Sequence, residues 1–114
     1  MSHAFNSVDK RPVVAVEFTS DGRGPLKAKG RYASTLVALV RAGEKGVQPA
    51  IDHPMPRWSH YVFWLRTHFG VVIETINEKH AGPYAGSHAR YVLRSEVNVL
   101  NVGYAGDKGA ANAA

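Results

Sequence analysis

The stretch RWSHYVFWLRTHFGVVIETIN, residues 57–77, changes its hydrophobic period at a single glycine, and that change decides the fold. Before Gly70, the residues Trp58, Val62, Leu65 and Phe69 recur at helical spacing and fall within one narrow stripe. After Gly70 the chain turns β-branched, and residues 71–77 read as a strand. A helix over residues 57–69 is therefore expected, with Pro56 suited to its first position and Gly70 able to take the left-handed conformation that closes it.

Toward the C-terminus, residues 88–95 alternate, with Tyr91 and Leu93 on one face and Arg90, Val92 and Arg94 on the other. This second strand should pair with the first. Residues 78–87 between them carry Gly82, Pro83 and Gly86 and exceed the two to five residues of an ordinary hairpin loop. Residues 101–114 are rich in Gly, Ala and Asn and read as a disordered tail.

Toward the N-terminus, Tyr32, Leu36, Leu39 and Val40 mark a helix over residues 31–42, with Gly43 and Gly46 as its stop. Pro49, Pro54 and Pro56 restrict residues 47–55 to at most one helical turn around residues 50–53, with Val47 as a brief strand. Residues 13–18 read as a strand or extended arm, and Asp21, Gly22, Arg23, Gly24 and Pro25 give the dense turn chemistry of a loop reaching Gly30. The expected organisation is an arm and basic loop over residues 1–30, a domain over 31–100 and a tail over 101–114. The fold class is α+β, with two to three helices followed by a two-stranded antiparallel ribbon.

A chain of 114 residues buries one modest core, and 45% hydrophobic with 20% charged residues suits a soluble globular domain. No apolar run approaches the roughly 20 residues that span a bilayer, so no membrane partner is expected. Residues 1–10 lack the apolar core of a secretory signal, which predicts a cytoplasmic location. The chain has no cysteine, so disulfides and thiolate metal sites are excluded.

The net charge of +5 and an isoelectric point near 9.7 favour an anionic partner. Arg23, Lys27, Lys29, Arg31 and Arg41 follow one another with no acidic residue between them. Such a run is either a phosphate-contacting segment or a solvated loop and helix start.

Gly46 and Val47, then Tyr61, Val62, Leu65, Arg66, Gly70, Ile73 and Thr75, and finally Tyr91, Val92 and Leu93 resemble the winged helix-turn-helix domains of bacterial and phage DNA-binding proteins. In those domains a Leu-Arg, spacer, Gly, Ile, Thr run joins the recognition helix to the first wing strand. The resemblance covers residues 31–94 and implies a recognition helix at residues 57–69, a wing, and binding to double-stranded DNA by a regulator or accessory factor. A cytoplasmic protein of this kind would be nucleoid-associated when bound.

With Trp58, Val62 and Leu65 inward, the opposite helix face carries His60, Phe63 and Thr67, flanked by Ser59, Trp64 and Arg66. Arg66 suits a guanine edge or a phosphate, Ser59 and Thr67 suit either, and His60 donates when protonated. The expected DNA-contacting set is Arg57, Ser59, His60, Trp64, Arg66 and Thr67 on the helix, with Lys79, His80, Tyr84, His88 and Arg90 on the wing. Lys27, Lys29 and Arg31 complete it from the basic run.

Phe63 and Trp64 read as exposed, and three explanations stand: packing on the arm residues Val14, Val16 and Phe18, contact with a second protomer in a homodimer, or base stacking on single-stranded nucleic acid. A protein-interaction module using Phe63 and Trp64 is thus the alternative function.

The pairs His53 and His60, His60 and His68, and His80 and His88 lack the spacing of two metal ligands on one helix face. Asp52 with His53 and Glu74 with His88 are conceivable acid-base pairs that ordinary loop and strand roles explain better. Ser34 and Ser59 sit in no nucleophile elbow, and Gly22, Gly24 and Gly30 are not spaced as a phosphate loop. No catalytic residue, metal or cofactor is expected.

Overall fold

The computed structural model describes residues 11–49, 57–80 and 86–106, with only the backbone of 79, 80 and 86–88. Its elements are β1 (Val13–Ser20), β2 (Arg23–Lys29), α1 (Gly30–Ala42), a 3-10 turn (Gly43–Lys45), α2 (Trp58–Phe69), β3 (Ile73–His80), β4 (Gly86–Leu93) and β5 (Val97–Tyr104). The fold is α+β, with two helices and antiparallel strands in two sheets, one ordered β2-β1-β5 and the other β3-β4.

The loop expected over residues 21–30 is instead strand β2, joined to β1 in a hairpin. Asp21 and Gly22 both take positive φ, 52° and 82°, the backbone of a tight hairpin turn whose twist matches its strands. Pro25 is tolerated because β2 lies at the edge of its sheet, where a missing N–H breaks no ladder bond. β1 is therefore a central strand, not a separate arm.

The tail expected from residue 101 is also corrected, because β5 runs to Tyr104 and pairs with β1 along its length. Alternation explains it: Val97, Val99 and Val102 are half-buried against the core, while Asn98 and Asn101 face outward. Residues 107–114 lie outside the described ones.

α1 and α2 match their expected spans to within a residue, and the cause is the apolar stripe of each. Leu36 and Leu39 of α1, and Trp58, Val62, Leu65 and Phe69 of α2, are all buried. β1 adds Val16 and Phe18 from one face, with the Phe18 ring edge-on to Phe69 at 5.2 Å. Gly70 ends α2 in the left-handed conformation, its N–H donating to the Arg66 carbonyl at 3.0 Å. At the other end Trp58 takes the first helical position that Pro56 was expected to fill, with Arg57 as the cap residue at φ 71°.

Val47 does form a brief strand, exchanging backbone bonds of 2.9 Å with Tyr91. β4 is thus flanked by Val47 and β3, and both Tyr91 and Val92 are buried although they point to opposite faces. The turn expected around residues 50–53 lies outside the described residues. The ribbon is longer than expected, because pairing continues to His80 and Gly86 and leaves residues 81–85 between the strands. The ten-residue connection over 78–87 is corrected accordingly.

Candidate nucleic-acid interface

α2 lies beside the first turn of α1, and Tyr32 is the reason. Its ring stacks on Trp64 at 4.0 Å and meets Tyr61 edge-on at 5.3 Å, while its hydroxyl lies 3.4 Å from His60 Nε2. Lys29 and Arg31 flank Tyr32 in sequence and are exposed, so this packing holds two cations next to the outer side of α2.

Trp64 is consumed in that packing. It is sandwiched between Tyr32 and His68, whose ring stacks on it at 4.3 Å, and meets Phe69 edge-on at 5.4 Å. Its expected place on an exposed face is corrected to half-buried, because the first turn of α1 covers it. The arm explanation fails too, since Val16 and Phe18 are buried in the core on the other side of β1. Phe63 stays 61% exposed.

Arg66 is held by the ribbon. Its Nε donates to the Ile73 carbonyl at 3.0 Å, and its Nη2 donates to the same carbonyl and to Thr75 Oγ1 at 2.8 Å. The Leu-Arg to Ile-x-Thr spacing therefore encodes a clamp between α2 and β3. Thr67 donates its hydroxyl back to the carbonyls of Phe63 at 3.0 Å and Trp64 at 3.3 Å, within its own helix.

Arg57 and Ser59, at the start of α2, are exposed, and His60 is half-buried beside Tyr32. α2 contains no acidic residue, and neither does α1. Lys27 and Lys29 alternate outward along β2, with Ala28 inward between them. Lys27 stands opposite Glu17 of β1, and Lys29 opposite Ala15.

The described part of the wing has a different character. Arg90 meets Glu78 at 3.0 Å and donates to the Lys45 carbonyl at 2.9 Å, and Gln48 donates to the same Glu78 carboxylate at 2.9 Å. Arg94 meets Glu74 at 2.6 Å. These pairs join Arg90 to the base of the ribbon and to the 3-10 turn, where a phosphate contact was expected. Lys79, His80 and His88 stand at backbone positions opposite Ser87, Gly86 and Glu78, and Tyr84 lies outside the described residues.

One cation beyond the expected set joins this region. Arg23 reaches Gly70, its guanidinium 3.4 Å from where a Cβ would stand, at the carbonyl end of α2 where positive charge is favoured. The acid-free run from Arg23 to Arg41 contained it, but no local pattern links the β1–β2 turn to the end of a helix far along the chain. Arg41 goes the other way, donating to Tyr104 Oη at 2.7 Å. Among the described residues, no three His, Asp or Glu side chains gather to hold a metal ion, and no helix is long and apolar enough to cross a membrane.

No curated protein and no solved structure matches the chain. A family model described as a winged helix domain matches residues 25–103.

Proposed function

The chain belongs to the winged helix domain family, and from that premise we propose that it binds double-stranded DNA as a transcriptional regulator or DNA-associated accessory factor. The observation that carries the reading is the acid-free outer side of α2, edged by Arg57 at its start, Lys29 and Arg31 beside its middle and Arg23 at its end. Cations so arranged contact phosphates on both sides of a groove and seat the helix between them.

The wing contributes less than its composition suggests. Arg90 and Arg94 are paired with Glu78 and Glu74, so the charge offered to a duplex comes from α1, α2 and β2. The alternative of a protein-binding patch is weakened because Trp64 is covered by Tyr32, leaving Phe63 without an aromatic neighbour on the surface. The reading is of a binding module and assigns no catalytic step.

The test is binding of the full chain to a mixed-sequence duplex across a salt series. Affinity is expected to fall steeply with salt, with Arg57→Ala and Arg31→Ala each lowering the slope of log K against log salt by about 0.9. Absence of binding at low salt refutes the reading.

A further inference from the structure

We propose that Phe63 reads the 5-methyl groups of pyrimidines in the major groove, so that the protein favours a thymine-containing duplex over the same duplex without those methyls. The proposal rests on the duplex-binding reading above.

Phe63 is at the centre of the exposed side of α2, with Ser59 one turn before it and Thr67 one turn after. An aromatic ring 61% exposed in the middle of that helix is unpartnered in the fold, while every neighbouring aromatic on α2 is packed. The polar groups around it are committed elsewhere. Arg66, the one arginine within α2, spends its guanidinium on Ile73 and Thr75, and Thr67 spends its hydroxyl proton on Phe63 and Trp64. The bidentate arginine contact to guanine, the commonest specific contact in the major groove, is therefore not offered by this helix interior.

What remains is an apolar surface, and the apolar group a major groove presents is the methyl on C5 of thymine. The methyl of 5-methylcytosine occupies the same place on its ring, so the chemistry recognised is a C5-methyl pyrimidine. Charge complementarity says why the occupant is a nucleic acid: neither α1 nor α2 carries an acidic residue, and Arg57 and Arg31 are exposed on either side. The cations position the helix without carrying sequence information, and Phe63 supplies the discrimination.

The experiment measures affinity of the full chain and of Phe63→Ala at low salt for four probes. These are an A·T-rich duplex, the same duplex with uracil for thymine, a G·C-rich duplex, and that duplex with 5-methylcytosine. Wild type is expected to prefer thymine over uracil by about fourfold for each methyl contacted, the size of burying one CH₂ group. Phe63→Ala, a change at an exposed helical site that leaves the core intact, should bind the thymine and uracil duplexes equally. A gain on 5-methylcytosine shows that any C5 methyl is read, and no gain restricts the contact to thymine. Equal wild-type affinities for thymine and uracil duplexes, or a preference that survives Phe63→Ala, overturn the proposal while salt-dependent binding persists. Failure to bind any probe overturns the duplex-binding reading with it.

Discussion

Arg66 illustrates how one side chain changes meaning between sequence and fold. On the helical wheel it flanks the outward face and suits a base or a phosphate, but its stem is long enough to reach back over the end of α2 to β3. The Ile73 carbonyl and Thr75 hydroxyl capture it because a guanidinium offers several donors in one plane. Arg66→Ala is accordingly expected to lower stability by about 1–2 kcal/mol, the scale of a charged hydrogen bond reduced by partial exposure, in a urea midpoint measurement. The salt slope of duplex binding should be unchanged in the same variant. A lowered slope with an unshifted midpoint would return Arg66 to the interface.

Between elements, the tightest contact is Gly46 against β4. Gly46 has φ 77° and ψ 178°, a region that essentially only glycine occupies, and a Cβ there would stand 2.8 Å from both the Tyr91 carbonyl and Val92 Cγ2. Gly46→Ala should cost about 2–4 kcal/mol, from backbone strain plus displacement of Val47 from Tyr91, and the loss should appear as early hydrogen exchange at the Val47 and Tyr91 amides. The helices were legible because each buries a stripe set by its own residues. The hairpin of β1 and β2 was not read, although Asp21-Gly22 is a strong turn signal, because Gly24 and Pro25 beside it also signal a loop. Those residues are tolerated in β2 only because the strand lies at a sheet edge, a fact of topology. The wing's charges were likewise misleading in composition, since pairing with Glu74 and Glu78 depends on register across the ribbon.

At the scale of the molecule, the N-terminal hairpin and β5 are parts of one core with the helices. Phe18 is fully buried against Phe69, Val16 and Ala28 are buried beside α1, and Glu96 and Asp21 exchange two bonds, 2.8 and 2.9 Å, that fasten the first turn to the start of β5. A fragment of residues 31–100 loses β1, β2 and half of β5, and the Phe18 side chain alone contributes about 3–5 kcal/mol. That fragment is expected to be unfolded by circular dichroism and thermal melting, while a fragment of residues 11–106 should melt cooperatively. A cooperative transition in the shorter one would make the hairpin an accessory.

By itself, the sequence determined the elements whose causes are local: the two amphipathic helices, their glycine stops, the β-branched run after Gly70 and the absence of acidic residues from both helices. It also carried the order of parts that identifies the family. Only the tertiary structure decided which polar groups remain available to a partner. Arg66, Arg90, Arg94 and Trp64 all have the chemistry of an interface, and each is claimed by residues distant in sequence. The physical reason is that a side chain's nature is written in its own position, whereas its partners depend on which elements the fold brings within the few ångströms over which hydrogen bonds and ring contacts act.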